Sequence, residues 1–185
     1  MRIVYSHHLF HLFILSENMP DIPHMNNEAE RIEALRKLNI LDTPPEARFD
    51  VITHQAQQEF GCKTCLISLV DEDRQWFKSR QGLAVNETPR NVSFCTYAIA
   101  EEEYLIVPDT HADFRFKNNK LVKGEPFIRS YAGMILHSPD GYEIGTFCLI
   151  HDDVKHYSEA QIKRLRQYAR IVELEMIANP EFGGR

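Results

Sequence analysis

The stretch "FIRSYAGMILHSPDGYEIGTFCLIH", Phe127 to His151, does most to limit what this chain can become. Two apolar, β-rich runs flank Pro139-Asp140-Gly141. Proline fixes φ, aspartate caps the local backbone through its side chain, and glycine takes φ > 0 freely, so the three make a turn between antiparallel strands. A second pair of antiparallel strands is expected in "CKTCLISLVDEDRQWFKSR", where a charged turn at Asp71 to Asp73 separates an apolar run from an alternating one. Trp76, the single tryptophan, is expected to pack on the sheet. "YLIVPD" reads as a further strand.

Helices bracket these strands. In "NNEAERIEALRKLNIL", Ile32, Leu35 and Leu38 recur at helical spacing between charges, and this helix is expected to end near Asn39. "LDTPPEARFDVITHQAQQEF" offers Thr43 as N-cap, Pro44 at the first helical position and Glu46 three residues after the cap. Phe49, Ile52, Ala56 and Phe60 form the stripe of that second helix, and Gly61 closes it. Ser158 and Gln161 make another capping box, ahead of a seam of Ile162, Leu165, Ala169, Val172 and Met176. Two helices, a hairpin, a lone strand, a second hairpin and a last helix add up to an α+β domain.

A chain of 185 residues accommodates one domain with a sizeable core. Its net charge of −6 argues against nucleic acid or an anionic membrane as partner. Four cysteines without a secretory signal fit a reducing, cytoplasmic setting better than a disulfide scaffold. Residues 1–24 are histidine-rich and lack period, caps or turn logic, so they are read as an extension outside the core, with Met19 or Met25 as an alternative start. The expected domain runs over 25–178, followed by a tail at 179–185.

Several stretches, taken in order, resemble the GAF domains, and in particular the small bacterial sensor type that opens with a leader of the form "E..R...L..L.ILDTPPE..FD". The likeness extends from about Glu28 to Met176 and includes "ISLVDEDRQWFKSRQGL", "ETPRNVSFCTYAI", "LIVPDTHADFRFKNN", "IRSYAGMIL" and "DGYEIGTFCLI". It implies a six-stranded antiparallel sheet flanked by helices, with a small-molecule pocket between the sheet and the 87–131 connections. The pocket-forming segments supply Arg90, Ser93, Phe94, Cys95, Tyr97, Asp109, Arg115, Arg129 and Tyr131 as expected ligand-binding residues. Arginine offers a planar fork to carboxylate or phosphate, aromatic faces stack on planar ligands, and serine adds an adaptable hydroxyl. Structural roles compete with each: Arg90 and Arg115 can pair with Asp109 or Glu87, and Phe94 and Tyr97 can serve the core.

Cys95 is followed by Thr96 where a bilin-attachment site has histidine, and it is expected to pack beside Phe94 as a small hydrophobe. The Cys62 to Cys65 spacing is that of a redox pair or half a zinc site, and the second half is missing. His7, His8 and His11, and the loop "IHDDVKH", carry metal-ligating side chains without a implied geometry, so no metal and no particular cofactor is expected. The expected function is a small-molecule sensor or signalling domain without its own output domain, not an enzyme, working as a homodimer through its terminal helices or through a separate signalling partner. A thiol-dependent redox enzyme of the free methionine sulfoxide reductase kind and a pure protein-interaction module stand as the alternatives.

Overall fold

The structure, a computed structural model, describes residues 22–178 apart from His24. The metal reading of His7, His8 and His11 lies outside the described residues. Helices α1 (Glu28–Lys37) and α2 (Ala47–Phe60) precede strands β1 (Thr64–Val70), β2 (Arg74–Gln81) and β3 (Glu87–Pro89). Next come the short helix α3 (Phe94–Ala98), β4 (Tyr104–Val107), the single turn α4 (Lys120–Lys123), β5 (Ser130–His137), β6 (Glu143–His151) and α5 (Glu159–Ile177). The strands form one six-stranded antiparallel sheet in the order β3-β2-β1-β6-β5-β4.

The expected hairpin is β5 and β6, with Gly141 at φ 87° in its turn. β1 is buried along its whole length because both sheet faces are covered. Its alternate residues divide between two cores: Cys65, Ile67 and Leu69 join the cluster under α2 and α5, while Leu66 and Val70 join the one under α3 and the 116–128 segment. Helices therefore lie on both faces, with the long ones on one side and short helices and connections on the other.

Two local expectations are corrected. α2 begins at Ala47, and its N-cap Glu46 makes no side-chain capping bond. A residue before proline is driven out of the helical region, and Thr43-Pro44-Pro45 puts two such residues in a row, so no helix can start there. Thr43 Oγ1 instead donates to the Ile40 carbonyl at 2.6 Å. The buried Lys78 ammonium then gathers the segment, donating to Thr43 Oγ1 at 2.6 Å and to the Pro44 carbonyl at 2.9 Å, and pairing with Glu46 at 2.5 Å. The seam of α5 is the second: Leu165, Ala169, Val172 and Met176 are buried in the monomer against the sheet and α2, not held open for a second helix. The Ser158–Gln161 capping box is present as expected.

α1 is fixed by a fully buried arginine. Arg31 donates to the Val70 carbonyl at 2.6 Å and holds Glu28 through two bonds, at 3.0 and 2.8 Å. Glu28 also accepts from Arg90 at 2.6 Å. Burial raises the Glu28 pKa, but its bonds to Arg31 and Arg90 outweigh this and bring it down to about 2.

Candidate functional site

On the sheet face away from α2 and α5 lies a cavity of about 450 Å³. Strand alternation supplies its floor: Leu66 of β1, Phe77 of β2, Tyr131 of β5, and Cys148 and Ile150 of β6. Phe94 and Cys95 of α3 enter from one side, and the connections at 82–85 and 121–128 close the top through residues such as Leu83, Val85, Leu121 and Ile128. The lining is predominantly apolar, and Lys63 and Glu125 are its charged members. Lys63 pairs with Asp152 at 3.4 Å.

The polar groups near the floor largely satisfy one another. Ser93 is the N-cap of α3, accepting from the Thr96 amide, and its hydroxyl donates to Gln75 Oε1 at 2.6 Å. The same oxygen accepts from Ser68 at 3.2 Å, while Gln75 Nε2 donates to Thr88 at 2.5 Å. This network aims α3 at the sheet and sets Cys95 over β5 and β6. There Cys95 Sγ accepts from Thr146 Oγ1 at 3.1 Å and from the Tyr131 hydroxyl at 3.4 Å. Tyr131 reaches that point because its ring lies along the strand over Gly133, where an added Cβ would fall 2.1 Å from the tyrosine oxygen.

Burial pushes the Cys95 pKa up, but hydrogen bonds from Cys148, Thr146 and Tyr131 more than offset it, and the net direction is down. Cys148, bonded to Cys95 and fully buried, goes the other way. Of two adjacent thiols, the one receiving several donors has its thiolate form favoured, and its neighbour's is disfavoured.

The residues expected from the sequence divide clearly. Phe94, Cys95 and Tyr131 line the cavity; Ser93 lies one hydrogen bond behind it. Tyr97 packs on Phe116 with ring centroids 5.0 Å apart, and Phe116 in turn stacks on Phe94 at 4.1 Å, so these rings back the wall. The arginines lie elsewhere. Arg90 binds Glu28 and the carbonyls of Asp71 and Glu72, tying α1 to the β1–β2 turn. Arg115 pairs with Asp113 at 2.7 Å and Glu101 at 3.4 Å. Arg129 forms a two-bond pair with Asp109, at 2.9 and 3.0 Å, beside an open groove with Lys117 and Phe127.

The sequence reading placed the 121–128 connection over the pocket, within 87–131, but missed Cys148, Thr146, Leu66, Phe77 and the 82–85 connection as members of the site. The parity of β1 and β6 carried part of that signal, since residues two apart share a face. Cys62 and Cys65 are buried on the helix-covered side. Among the described residues, no group of three or more histidine, cysteine, aspartate or glutamate side chains is gathered so as to hold a metal ion. In the loop "IHDDVKH", His151 bonds to the Tyr157 hydroxyl at 2.9 Å. No described helix is long and apolar enough to cross a membrane.

The chain belongs to the GAF domain family, whose family model matches residues 44–176. A cyclic di-GMP phosphodiesterase of Pseudomonas aeruginosa is 35% identical over 151 residues, covering 81% of this chain and 26% of its own length. The chain thus spans about a quarter of that curated relative. Among solved structures, the free methionine-R-sulfoxide reductase of Neisseria meningitidis has TM-score 0.56 at 21% identity, with 84% of this chain and 93% of that one covered. The GAF domain of an Acinetobacter phosphoenolpyruvate-protein phosphotransferase has TM-score 0.57 at 16% identity, with 88% and 99% covered. These similarities correct the expectation that the chain is no enzyme: a relative at 35% identity is named as a phosphodiesterase, and the fold is shared with a reductase.

Proposed function

We propose that this GAF domain binds a small, largely apolar molecule in the cavity between the sheet and the 82–85 and 121–128 connections, and that occupancy regulates a signalling enzyme of the kind its phosphodiesterase relative is named for. The observation that carries this reading is the cavity itself: about 450 Å³, within the usual range for small-molecule sites, with a predominantly apolar wall and a few polar groups set into it. A cyclic dinucleotide is a poor occupant, because two phosphates need fixed cationic donors. Arg90, Arg115 and Arg129 are outside the cavity and ion-paired. Closure over the occupant would order the 82–85 and 121–128 connections, which is how binding reaches the protein surface.

A thermal-shift screen of neutral aromatic and aliphatic alcohols, ketones and acids tests this, alongside native mass spectrometry of the chain purified from its host. Leu66→Trp, which fills the cavity from β1, should abolish the shift given by any hit. A complete absence of stabilising compounds, or a shift that Leu66→Trp leaves unchanged, would remove the cavity as the binding site.

We also propose self-association through the outer face of α5. Ile171, Leu174 and Ile177 are 42%, 47% and 53% exposed on a helix whose other face is buried, and three apolar side chains on successive turns make a stripe suited to a second copy.

A further inference from the structure

A ligand cavity needs no thiols, yet this one has two in its lining, and hydroxyl donors surround one of them. Cys95 and Cys148 come from different elements, α3 and β6, and both line the same cavity. Thr146, which donates to Cys95 Sγ, lies two residues before Cys148 on the same face of β6, and this brings the second thiol to the side of the sheet that faces Cys95. Two hydroxyls converge on Cys95 Sγ, from Thr146 at 3.1 Å and Tyr131 at 3.4 Å, and the tyrosine is positioned only because residue 133 lacks a Cβ. Two donors on one sulfur stabilise the nucleophilic thiolate, and in a reaction they can pass a hydrogen bond to a departing oxygen. The remaining wall, with Leu66, Phe77, Leu83 and Ile128, is matched to an apolar group, not to water or a charged metabolite.

We propose that Cys95 and Cys148 are a peroxide-reducing dithiol, and that the cavity takes organic hydroperoxides whose apolar part occupies the wall while the O–O bond meets Cys95. This deepens the cavity reading above and rests on it. In the first step the Cys95 thiolate attacks the terminal oxygen of R–O–O–H, an S–O bond forms as the O–O bond breaks, and the alkoxide takes up the proton that Cys95 released. The products are the Cys95 sulfenic acid and the alcohol R–OH. Cys148 then attacks the sulfenic sulfur, its proton leaves with the hydroxide as water, and the Cys95–Cys148 disulfide forms. In sum, two thiols and one hydroperoxide give one disulfide, one alcohol and one water, a two-electron oxidation of the sulfurs. A dithiol reductant restores both thiols by exchange and is itself oxidised to a disulfide. Cys62 and Cys65, close neighbours in sequence but packed in the core on the opposite sheet face, are the internal comparison.

The full chain is reduced, treated with cumene hydroperoxide, quenched with N-ethylmaleimide and mapped by peptide mass spectrometry without reduction. A Cys95–Cys148 link that dithiothreitol reverses is expected, with Cys148→Ser instead leaving Cys95 as a sulfenic acid trapped by dimedone. Tyr131→Phe should slow the reaction about tenfold, the rate equivalent of one hydrogen bond to a charged group. Hydrogen peroxide, which has no apolar part, should react more slowly than cumene hydroperoxide. Unreacted Cys95, or a link confined to Cys62 and Cys65, overturns the proposal, and so does a rate indifferent to Tyr131→Phe. Binding of the unreactive product cumyl alcohol, read by thermal shift in wild type and Leu66→Trp, is scored separately. If the alcohol binds and Cys95 stays reduced, the dithiol fails while the cavity reading stands; if Cys95 is oxidised as fast in Leu66→Trp, both fail.

Discussion

Replacing Arg31 by methionine should be among the most damaging changes available in α1, although it removes no apolar contact. The side chain is 0% exposed, and methionine matches much of its aliphatic stem. What is lost is the 2.6 Å bond to the Val70 carbonyl and the pair with Glu28 at 2.8 Å. A buried bond from a charged donor contributes about 1.5 to 3 kcal/mol. The pair contributes less, about 1 kcal/mol at most, because Glu28 is 34% exposed and retains Arg90 at 2.6 Å. The total is about 2 to 4 kcal/mol, which for a domain of this size lowers the melting temperature by about 5 to 15 °C. Arg31→Lys should fall between, since a single ammonium cannot serve both the carbonyl and the carboxylate geometry. Differential scanning calorimetry on the full chain at neutral pH measures this. An Arg31→Met protein melting within about 2 °C of wild type would refute the assignment of α1's anchoring to this network.

Acid should act on the same network. The Glu28 pKa is about 2 in the folded chain against 4.5 as its ordinary value, so its contribution is present above pH 4.5 and is lost as the pH falls toward 2; Glu28→Gln should flatten that part of the stability–pH curve. His137 behaves in the opposite sense: its bond to Glu173 at 3.1 Å raises its pKa, so the stabilisation is full below pH 6.5 and fades as pH rises through the raised value. An NMR titration of the His137 ring should show the apparent pKa fall in Glu173→Gln, and no change there would dissociate the two side chains. For self-association, light scattering at high micromolar concentration should give twice the 21.6 kDa chain mass for wild type and the single mass for Leu174→Glu. A wild-type monomer would remove the outer face of α5 as an interface.

How far the sequence led depended on whether a signal was local. The β5–β6 turn was legible because Pro139, Asp140 and Gly141 each act on their own backbone, and the Ser158–Gln161 box because both partners lie within one turn. Thr43 and Glu46 presented the same box, and the proline pair between them overrode it; the rule about residues preceding proline is also local, and it excludes Thr43 and Pro44 from the helix, which begins at Ala47. Pairing of charges was not local. Arg90 finds Glu28, 62 positions away, and Arg129 finds Asp109, 20 away, so arginines that look available for an anion in the sequence are spent on holding connections in place. The seam of α5 shows the same limit from the apolar side, since periodicity says that a face is buried and not what buries it.

The cavity follows from these facts together. With the arginines withdrawn to the periphery, the 87–131 connections bring mainly Phe94, Cys95, Leu121 and Ile128 to the sheet, so the enclosed space is apolar. The thiols in it are placed by strand register: β5 pairs Gly133 with Cys148, so the vacancy that accommodates Tyr131 lies beside one thiol while the tyrosine hydroxyl reaches the other. Gly133→Ala therefore perturbs the thiol pair without altering a thiol. The ring of Tyr131 must lift, the donor to Cys95 is lost, and the Cys95 pKa should rise toward that of an ordinary buried thiol. The pH dependence of iodoacetamide alkylation, followed at Cys95 by peptide mass spectrometry, reads that shift directly. An unchanged profile in Gly133→Ala would mean that Tyr131 does not help hold the Cys95 thiolate.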